Sequence, residues 1–185
     1  MSDQVEDVYP LSSAQKGLVF QTLYEGAAEN YFEQVVCHLE GQLQPEAWKS
    51  AWQNLIQRHP ALRTAILTRE LLQVVFNDPV FEWEEHSWSQ LDSSEFRVNL
   101  DVLLQQQRSK GFGLDKSPLT EFHLIEGGGK YVFVWNFHHA IMDGWSMATL
   151  FDQAIEIYSA ILNDKPFPES EGAAYATYID WLTHY

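Results

Sequence analysis

Apolar and polar positions along the chain alternate in patterns that predict strands separated by amphipathic helices. The most apolar stretch, residues 131–137, is rich in β-branched and aromatic side chains, which predicts a central strand buried on both faces. After it, apolar residues recur at steps of three and four and predict one buried helix face. That face contains Met147, Leu150, Phe151, Ala154, Ile155, Tyr158, Ile161 and Leu162. The local plan is strand, polar loop, helix.

Three more helices are predicted upstream. Ser12 and Gln15 fit a capping box for a helix that reaches about Tyr24 and turns Ala14, Leu18 and Val19 inward. A second helix begins near Pro45, which suits the first helical position, and stops before Pro60. A third covers about 94–109 and ends at Gly111, a natural helix C-cap.

Strand patterns occupy much of the remaining chain. Residues 31–39 predict a well-covered strand with Cys37 as core filler, and a hairpin at 68–70 leads to a strand at 71–76. Residues 81–86 predict a partly exposed strand on which His86 is solvated. Residues 119–126 and 131–137 form a hairpin across a glycine turn. Residues 1–7 are a polar lead, 163–172 a loop and 175–182 a packing helix.

Composition narrows the class of protein. With 185 residues, 45% of them apolar, the chain is long enough for one α/β domain with its own core. A net charge of -15 disfavours binding to nucleic acid or to an anionic membrane surface. The single cysteine excludes an internal disulfide and every multi-cysteine zinc pattern, and no leader or membrane-length apolar run is visible. We therefore expect a cytoplasmic protein without its own metal or bound cofactor.

Residues 137–146 read FHHAIMDGWS and hold the candidate chemistry. Successive strand side chains point to opposite faces, so His138 and His139 cannot both face one cleft. A cleft-facing imidazole can take a proton from an attacking amine, hydroxyl or thiol. The alternative is that both histidines are hydrogen-bonded structural residues with no part in catalysis. Asp143 either orients the ring or pairs with an arginine elsewhere. Gly144 permits a sharp turn or close approach of a substrate.

This string resembles the His-His-x-x-x-Asp-Gly motif of condensation domains from nonribosomal peptide synthetases, within the chloramphenicol-acetyltransferase-like superfamily. Residues 10–20, 58–66 and 175–182 are similar to the family's first, second and fourth core motifs, although Thr177 stands where the family usually has aspartate. The resemblance covers the whole chain. It implies an α/β fold with a mixed β-sheet flanked by helices, which we expect on one side of the sheet.

The resemblance also implies a domain organisation and a reaction. Condensation domains have two similar lobes, so residues 1–185 are expected to be the N-terminal lobe, with the C-terminal lobe absent. The family joins a donor aminoacyl or peptidyl thioester to an acceptor aminoacyl thioester, both delivered on phosphopantetheine arms. Expected partners are the upstream and downstream peptidyl carrier proteins, the second lobe and the adenylation domain of the same synthetase.

Roles for individual residues follow from the matched motifs. His139 matches the second motif histidine and is expected to hold the acceptor amine or to receive its proton. Gly144 offers a backbone amide to the oxyanion. His138 is expected to be structural, as is Arg63, which the resemblance pairs with Asp143; a buried charge needs such a partner.

Four other functions share features with this one. An epimerization domain has the same motif but tends to have Ser-Trp after the glycine, whereas Trp145-Ser146 follows here. A heterocyclization domain replaces the two histidines with an aspartate pattern. A free-standing acyltransferase that uses a diffusible thioester, and a non-catalytic module that docks carrier proteins, remain open.

Overall fold

A computed structural model describes residues 4–25, 29–167 and 175–184. Within them the chain forms seven strands, five α-helices and one 3-10 helix at Pro60–Arg63. The strands are β1 (Val5–Pro10), β2 (Phe32–Leu39), β3 (Thr64–Leu67), β4 (Leu72–Phe76), β5 (Trp83–Ser87), β6 (Thr120–Gly127) and β7 (Lys130–His138). The helices are α1 (Ser13–Glu25), α2 (Pro45–Arg58), α3 (Ser93–Lys110), α4 (Gly144–Leu162) and α5 (Tyr175–His184).

Two sheets organise these elements. The larger has the order β2-β7-β6-β5, with β5 parallel to β6 and the other pairs antiparallel. The smaller is antiparallel, in the order β1-β4-β3. Residues 132–138 of β7 are all buried, and β7 lies inside its sheet, which confirms the predicted central strand.

Helices cover both faces of the larger sheet. Trp52 of α2 packs among Phe122, Phe133 and Trp135, and α4 packs beside α2 on the same face. On the other face the α3 residues Leu100 and Leu103 join Ile125, Val132 and Val134. The mixed α/β class is confirmed, but the expectation of helices on one side is wrong. β7 carries apolar side chains on both of its faces, so helices must cover each face of the sheet.

Several predicted burial patterns differ in detail. In α4 the buried residues are Leu150, Ala154, Ile157 and Ala160, while Ile155 and Leu162 are exposed. Ala14 of α1 is also exposed, although Val19 is buried and the capping box forms as predicted. The α4 face is therefore rotated from the predicted stripe, because Ile157, seven residues after Leu150, points into the core.

The strand predictions need three corrections. Residues 5–7 of the predicted lead belong to β1, which pairs with β4; residues 1–3 lie outside the described range. β2 is an edge strand with Val36 exposed. Cys37 is half-buried and packs against the main core, in keeping with its predicted role, and burial raises the pKa of its thiol. His86 is not solvated, since its side chain is only 21% exposed; burial and nearby His123 lower its pKa.

The C-terminal segment ends in the predicted packing helix. Ile179 of α5 is buried against Tyr9 and Val75 of the smaller sheet, while Thr177 is exposed. The part of the predicted loop from 168 to 172 lies outside the described residues. Among the residues that are described, no helix combines the length and apolar character needed to cross a membrane.

Candidate active site

An open cleft of about 670 Å³ lies where β7 gives way to α4. Its walls come from the loop after β7, the start of α4, the N-terminal half of α1, the 3-10 helix region and the start of α5. The lining residues are Ser12, Ala14, Gln15, Leu18, His59, Ala61, Leu62, His139, Ala140, Ile141, Met142, Asp143, Trp145, Ser146, Thr149, Leu150 and Tyr175. His139 is the motif histidine that reaches this cleft.

Two hydrogen bonds fix His139. Its backbone N–H donates to the Tyr31 carbonyl at 2.8 Å, which ties the loop to the start of β2. Its ring Nδ1 lies 2.8 Å from the Met142 carbonyl oxygen. A carbonyl oxygen only accepts hydrogen bonds, so Nδ1 carries the proton and Nε2 of the neutral ring keeps its lone pair. The loop therefore holds a half-buried imidazole in the tautomer that can accept a proton.

His138 occupies a different environment. It is 2% exposed, and its Nδ1 accepts the Ala140 N–H at 3.1 Å. Nε2 is then the donor to Thr22 Oγ1, 3.3 Å away, and the Thr22 hydroxyl donates to the Leu18 carbonyl. Burial, with a smaller effect of His139, lowers the pKa of His138 to about 4. A neutral His138 thus links the loop to α1.

Asp143 is the N-cap of α4. Its Oδ1 accepts the Ser146 N–H at 2.8 Å, and its own carbonyl accepts the Met147 N–H. Hydrogen bonds from the backbone and side chain of Ser146 hold the pKa of Asp143 below its usual range. Gly144 is the first residue of α4 and is exposed; its neighbours in sequence line the cleft, whereas Gly144 itself does not.

Arg63 is almost fully buried and lies in a different network. Its guanidinium donates to the carboxylate of Glu6 and to the carbonyls of Ile56 and Phe76. The expected pair with Asp143 is therefore wrong. β1 carries Glu6 to Arg63 by pairing with β4, and Asp143 remains exposed at the start of α4.

Gln15 is a site residue for which the sequence pattern predicted only a capping role. Its Nε2 donates to the Ala140 carbonyl at 3.0 Å, and its amide pairs reciprocally with that of buried Gln73. Tyr175 adds a contact from α5, with its hydroxyl 3.4 Å from Ser12 Oγ. These bonds fasten α1 to the residue that follows His139. The capping box and the first core motif both include Gln15, but neither indicated its contact with the loop after β7.

Comparison with known proteins places this geometry in a family. The condensation domain family matches residues 5–185. The chain belongs to that family. Two of its relatives are linear gramicidin synthase subunits from Brevibacillus parabrevis, one 35% identical over 182 residues and the other 32% identical over 184 residues. These matches cover 96% and 97% of this chain, and the chain spans 4% of the length of each relative.

Solved structures show the same fold. The starter condensation domain of rhizomide synthetase superposes with a TM-score of 0.84 at 16% identity, over 96% of this chain and 43% of that one. The first condensation domain of the calcium-dependent antibiotic synthetase gives 0.82 at 16% identity, over 95% and 44%. The resemblance predicted from the motifs and the α/β fold class are confirmed.

Proposed function

We propose that this chain is the N-terminal lobe of a condensation domain and that it forms amide bonds between substrates held as thioesters on carrier proteins. The observation that carries the proposal is the His139 ring, whose Nδ1–H is committed to the Met142 carbonyl. Its Nε2 is left as an acceptor on a cleft-lining residue. Membership of the condensation domain family supports the choice of reaction.

The proposed step is an aminolysis. The α-amine of the acceptor attacks the carbonyl carbon of the donor thioester, a C–N bond forms, and Nε2 of His139 receives the amine proton or orients the amine. The tetrahedral intermediate then expels the thiolate by breaking the C–S bond, and the thiolate takes up a proton. General-base assistance is typically worth about 10²- to 10⁴-fold in rate, and positioning can contribute more.

Other parts of the proposal concern the oxyanion and the substrates. The Gly144 amide, at the N-terminus of α4, is our candidate donor to the oxyanion, because Gly144 lies between the cleft-lining residues Asp143 and Trp145 although it does not line the cleft itself. The neighbouring Asp143 carboxylate would repel that oxyanion, so we assign Gly144 a smaller share of the rate than His139. Phosphopantetheine arms of upstream and downstream carrier proteins would bring the two thioesters, and an adenylation domain would load them. We infer a cytoplasmic setting, in keeping with a single free cysteine.

The test uses a two-lobed condensation domain that carries this chain as its first lobe. We expect His139→Ala to lower single-turnover amide formation between two loaded carriers by about 10²-fold or more. Its melting temperature should stay close to that of the parent, because a half-buried ring in an open cleft has few packing contacts to lose. His38→Ala, which removes an exposed histidine from β2, is the matched control. It should change neither the rate of amide formation nor the melting temperature.

Two results would reject the proposal. The first is an unchanged turnover rate for His139→Ala. The second is a rate loss that only follows a large fall in melting temperature, since His139 would then be structural. His139→Gln adds a discriminating readout: a side chain that can orient the amine but cannot take its proton would retain part of the rate if positioning dominates.

A further inference from the structure

We propose that Glu84, His86 and His123 form a binding site for a divalent transition metal ion of the zinc type. The three residues lie on β5 and β6, on the face of the larger sheet that carries α3. None of them lines the cleft around His139. The proposal therefore concerns a second site, independent of amide formation.

Strand register brings the three side chains together. β5 and β6 are parallel neighbours, and Glu84 is paired directly with His123. His86 follows Glu84 by two residues, so its side chain projects from the same face of β5. One carboxylate and two imidazoles thus converge although 37 residues separate His86 from His123 in the chain.

The separations of the three ligand atoms fit a zinc ion. His86 Nε2 lies 3.3 Å from His123 Nδ1, and Glu84 Oε2 lies 3.5 Å from that Nδ1 and 3.7 Å from that Nε2. The point equidistant from these atoms is about 2.0 Å from each, the length of Zn–N and Zn–O bonds. Two histidines and one carboxylate, with a fourth position left for water, form a common zinc ligand set.

A second observation comes from the far side of the His123 ring. Nε2 of His123 is buried and makes no hydrogen bond to any of the described residues. A metal on Nδ1 would require the proton on Nε2, which lies 3.8 Å from Glu121 Oε1. A small shortening of the distance between His123 Nε2 and Glu121 Oε1 would form a hydrogen bond. Carboxylates commonly orient metal-bound histidines in this way.

Glu121 is itself held for such a role. It is buried, its Oε1 accepts from Asn136 Nδ2 at 3.0 Å, and its Oε2 accepts from Lys110 Nζ at 2.8 Å. The ligands are graded in exposure, with side-chain values of 59% for Glu84, 21% for His86 and 2% for His123. An ion can therefore enter from solvent at edge strand β5 and meet a rigid, oriented imidazole below.

The test measures metal binding to the tag-free 185-residue chain, with Zn²⁺ and Co²⁺ alone as probes. We expect one Co²⁺ per chain by equilibrium dialysis, visible absorption bands typical of tetrahedral Co²⁺, and displacement of that spectrum by Zn²⁺. His86→Ala should weaken binding at least tenfold. Glu121→Gln, which leaves all three ligands in place, should weaken it by roughly 10- to 100-fold. His38→Ala is the control and should bind as the parent does.

Three results would overturn the site: no binding at micromolar metal, equal affinities for the parent and His86→Ala, or loss of binding in His38→Ala. A thermal melt gives a further readout, since Zn²⁺ should raise the melting temperature of the parent but not of His86→Ala. Amide formation enters none of these measurements, so failure here leaves the proposed function untouched.

Discussion

His138 and His139 are adjacent in the chain, but protonation affects them differently. Both nitrogens of His138 are used: one accepts from Ala140 and the other donates to Thr22. A second ring proton would break the first bond and place a charge in the core. Among the described residues, only Nδ1 of the His139 ring makes a hydrogen bond, to the Met142 carbonyl, so Nε2 can gain and release a proton without loss of that contact.

We therefore predict that His138 makes the fold sensitive to acid. Its pKa of about 4 in the fold lies below the ordinary histidine value of about 6.5 in the unfolded chain. The stabilising contribution is thus complete above about pH 6.5 and is lost as the pH falls toward about 4. Between pH 7 and pH 4.5, the free energy of unfolding should drop by roughly 2 to 3 kcal/mol more in the parent than in His138→Asn. Urea titrations of both proteins at both pH values measure this difference. An equal drop in the free energy of unfolding for the parent and for His138→Asn would contradict the prediction.

A second prediction at this scale separates Asp143 from Arg63. Asp143→Ala removes a helix N-cap from an exposed site and should lower the free energy of unfolding by about 1 kcal/mol. Arg63→Ala removes a buried guanidinium and leaves the carbonyls of Ile56 and Phe76 without that donor. The substitution should lower the free energy of unfolding by roughly 2 to 4 kcal/mol. Urea unfolding of both variants tests this prediction. Equal losses of stability would contradict the assignment of Asp143 and Arg63 to separate networks.

At the scale of elements, the contact between α3 and the larger sheet gives a prediction of its own. A Cβ added to Gly127 would lie 2.3 Å from the Phe96 ring, which is anchored on α3 and cannot yield as a flexible chain end would. Gly127→Ala should therefore push α3 from the sheet and destabilise the fold by about 1 to 3 kcal/mol.

Gly17→Ala is the matched control for that substitution. Gly17 lies within α1, where an added Cβ meets nothing within 4 Å. Alanine should raise stability there by up to about 1 kcal/mol, because it favours the helix and restricts the unfolded chain. Thermal melts compare the two. If Gly127→Ala were as stable as the parent, α3 would not be packed closely against the β6–β7 turn.

Elements with strong local signals could be predicted from the sequence. Pro45 begins α2 and Gly111 ends α3 with a φ of +59°, so these boundaries follow from local chemistry. Asp92, which caps α3, was not predicted and lies two residues before the expected start at about 94. β1 could not be predicted in the same way. Its Val5 and Val8 are exposed, and it is a strand because β4 supplies its hydrogen bonds.

The candidate sites also differ in whether their residues are close together in the sequence. His138 and His139 were visible because their strand, loop and helix are contiguous in sequence. The Glu6–Arg63 pair and the Glu84, His86 and His123 cluster were not, because strand pairing joins residues that are far apart in the chain. No local pattern records which distant carboxylate reaches an arginine, so a motif alone placed Asp143 there wrongly.

At the scale of the whole molecule, large aromatic side chains are exposed on α1 and α4, the two long helices that contribute residues to the cleft walls. Trp145 of α4 is 87% exposed, and Phe20 and Tyr24 of α1 are 64% and 79% exposed and stack with each other. Exposed apolar clusters of this kind commonly mark surfaces that another protein unit covers. Trp145 lines the cleft, where the proposed second lobe would complete the channel, whereas Phe20 and Tyr24 lie elsewhere on α1 and are not among the lining residues.

The last prediction follows from that half-open channel. The chain by itself should form no measurable amide when mixed with two loaded carrier proteins, although it should fold and melt cooperatively. A cleft open to water neither excludes solvent from the thioester nor aligns donor with acceptor, and alignment alone can be worth about 7 to 11 kcal/mol of the barrier. Mass spectrometry of the carrier-bound products measures this, with a two-lobed domain containing the same residues as the positive control. Sustained amide formation by the chain alone would contradict the lobe assignment, because one lobe would then hold both substrates in line at His139.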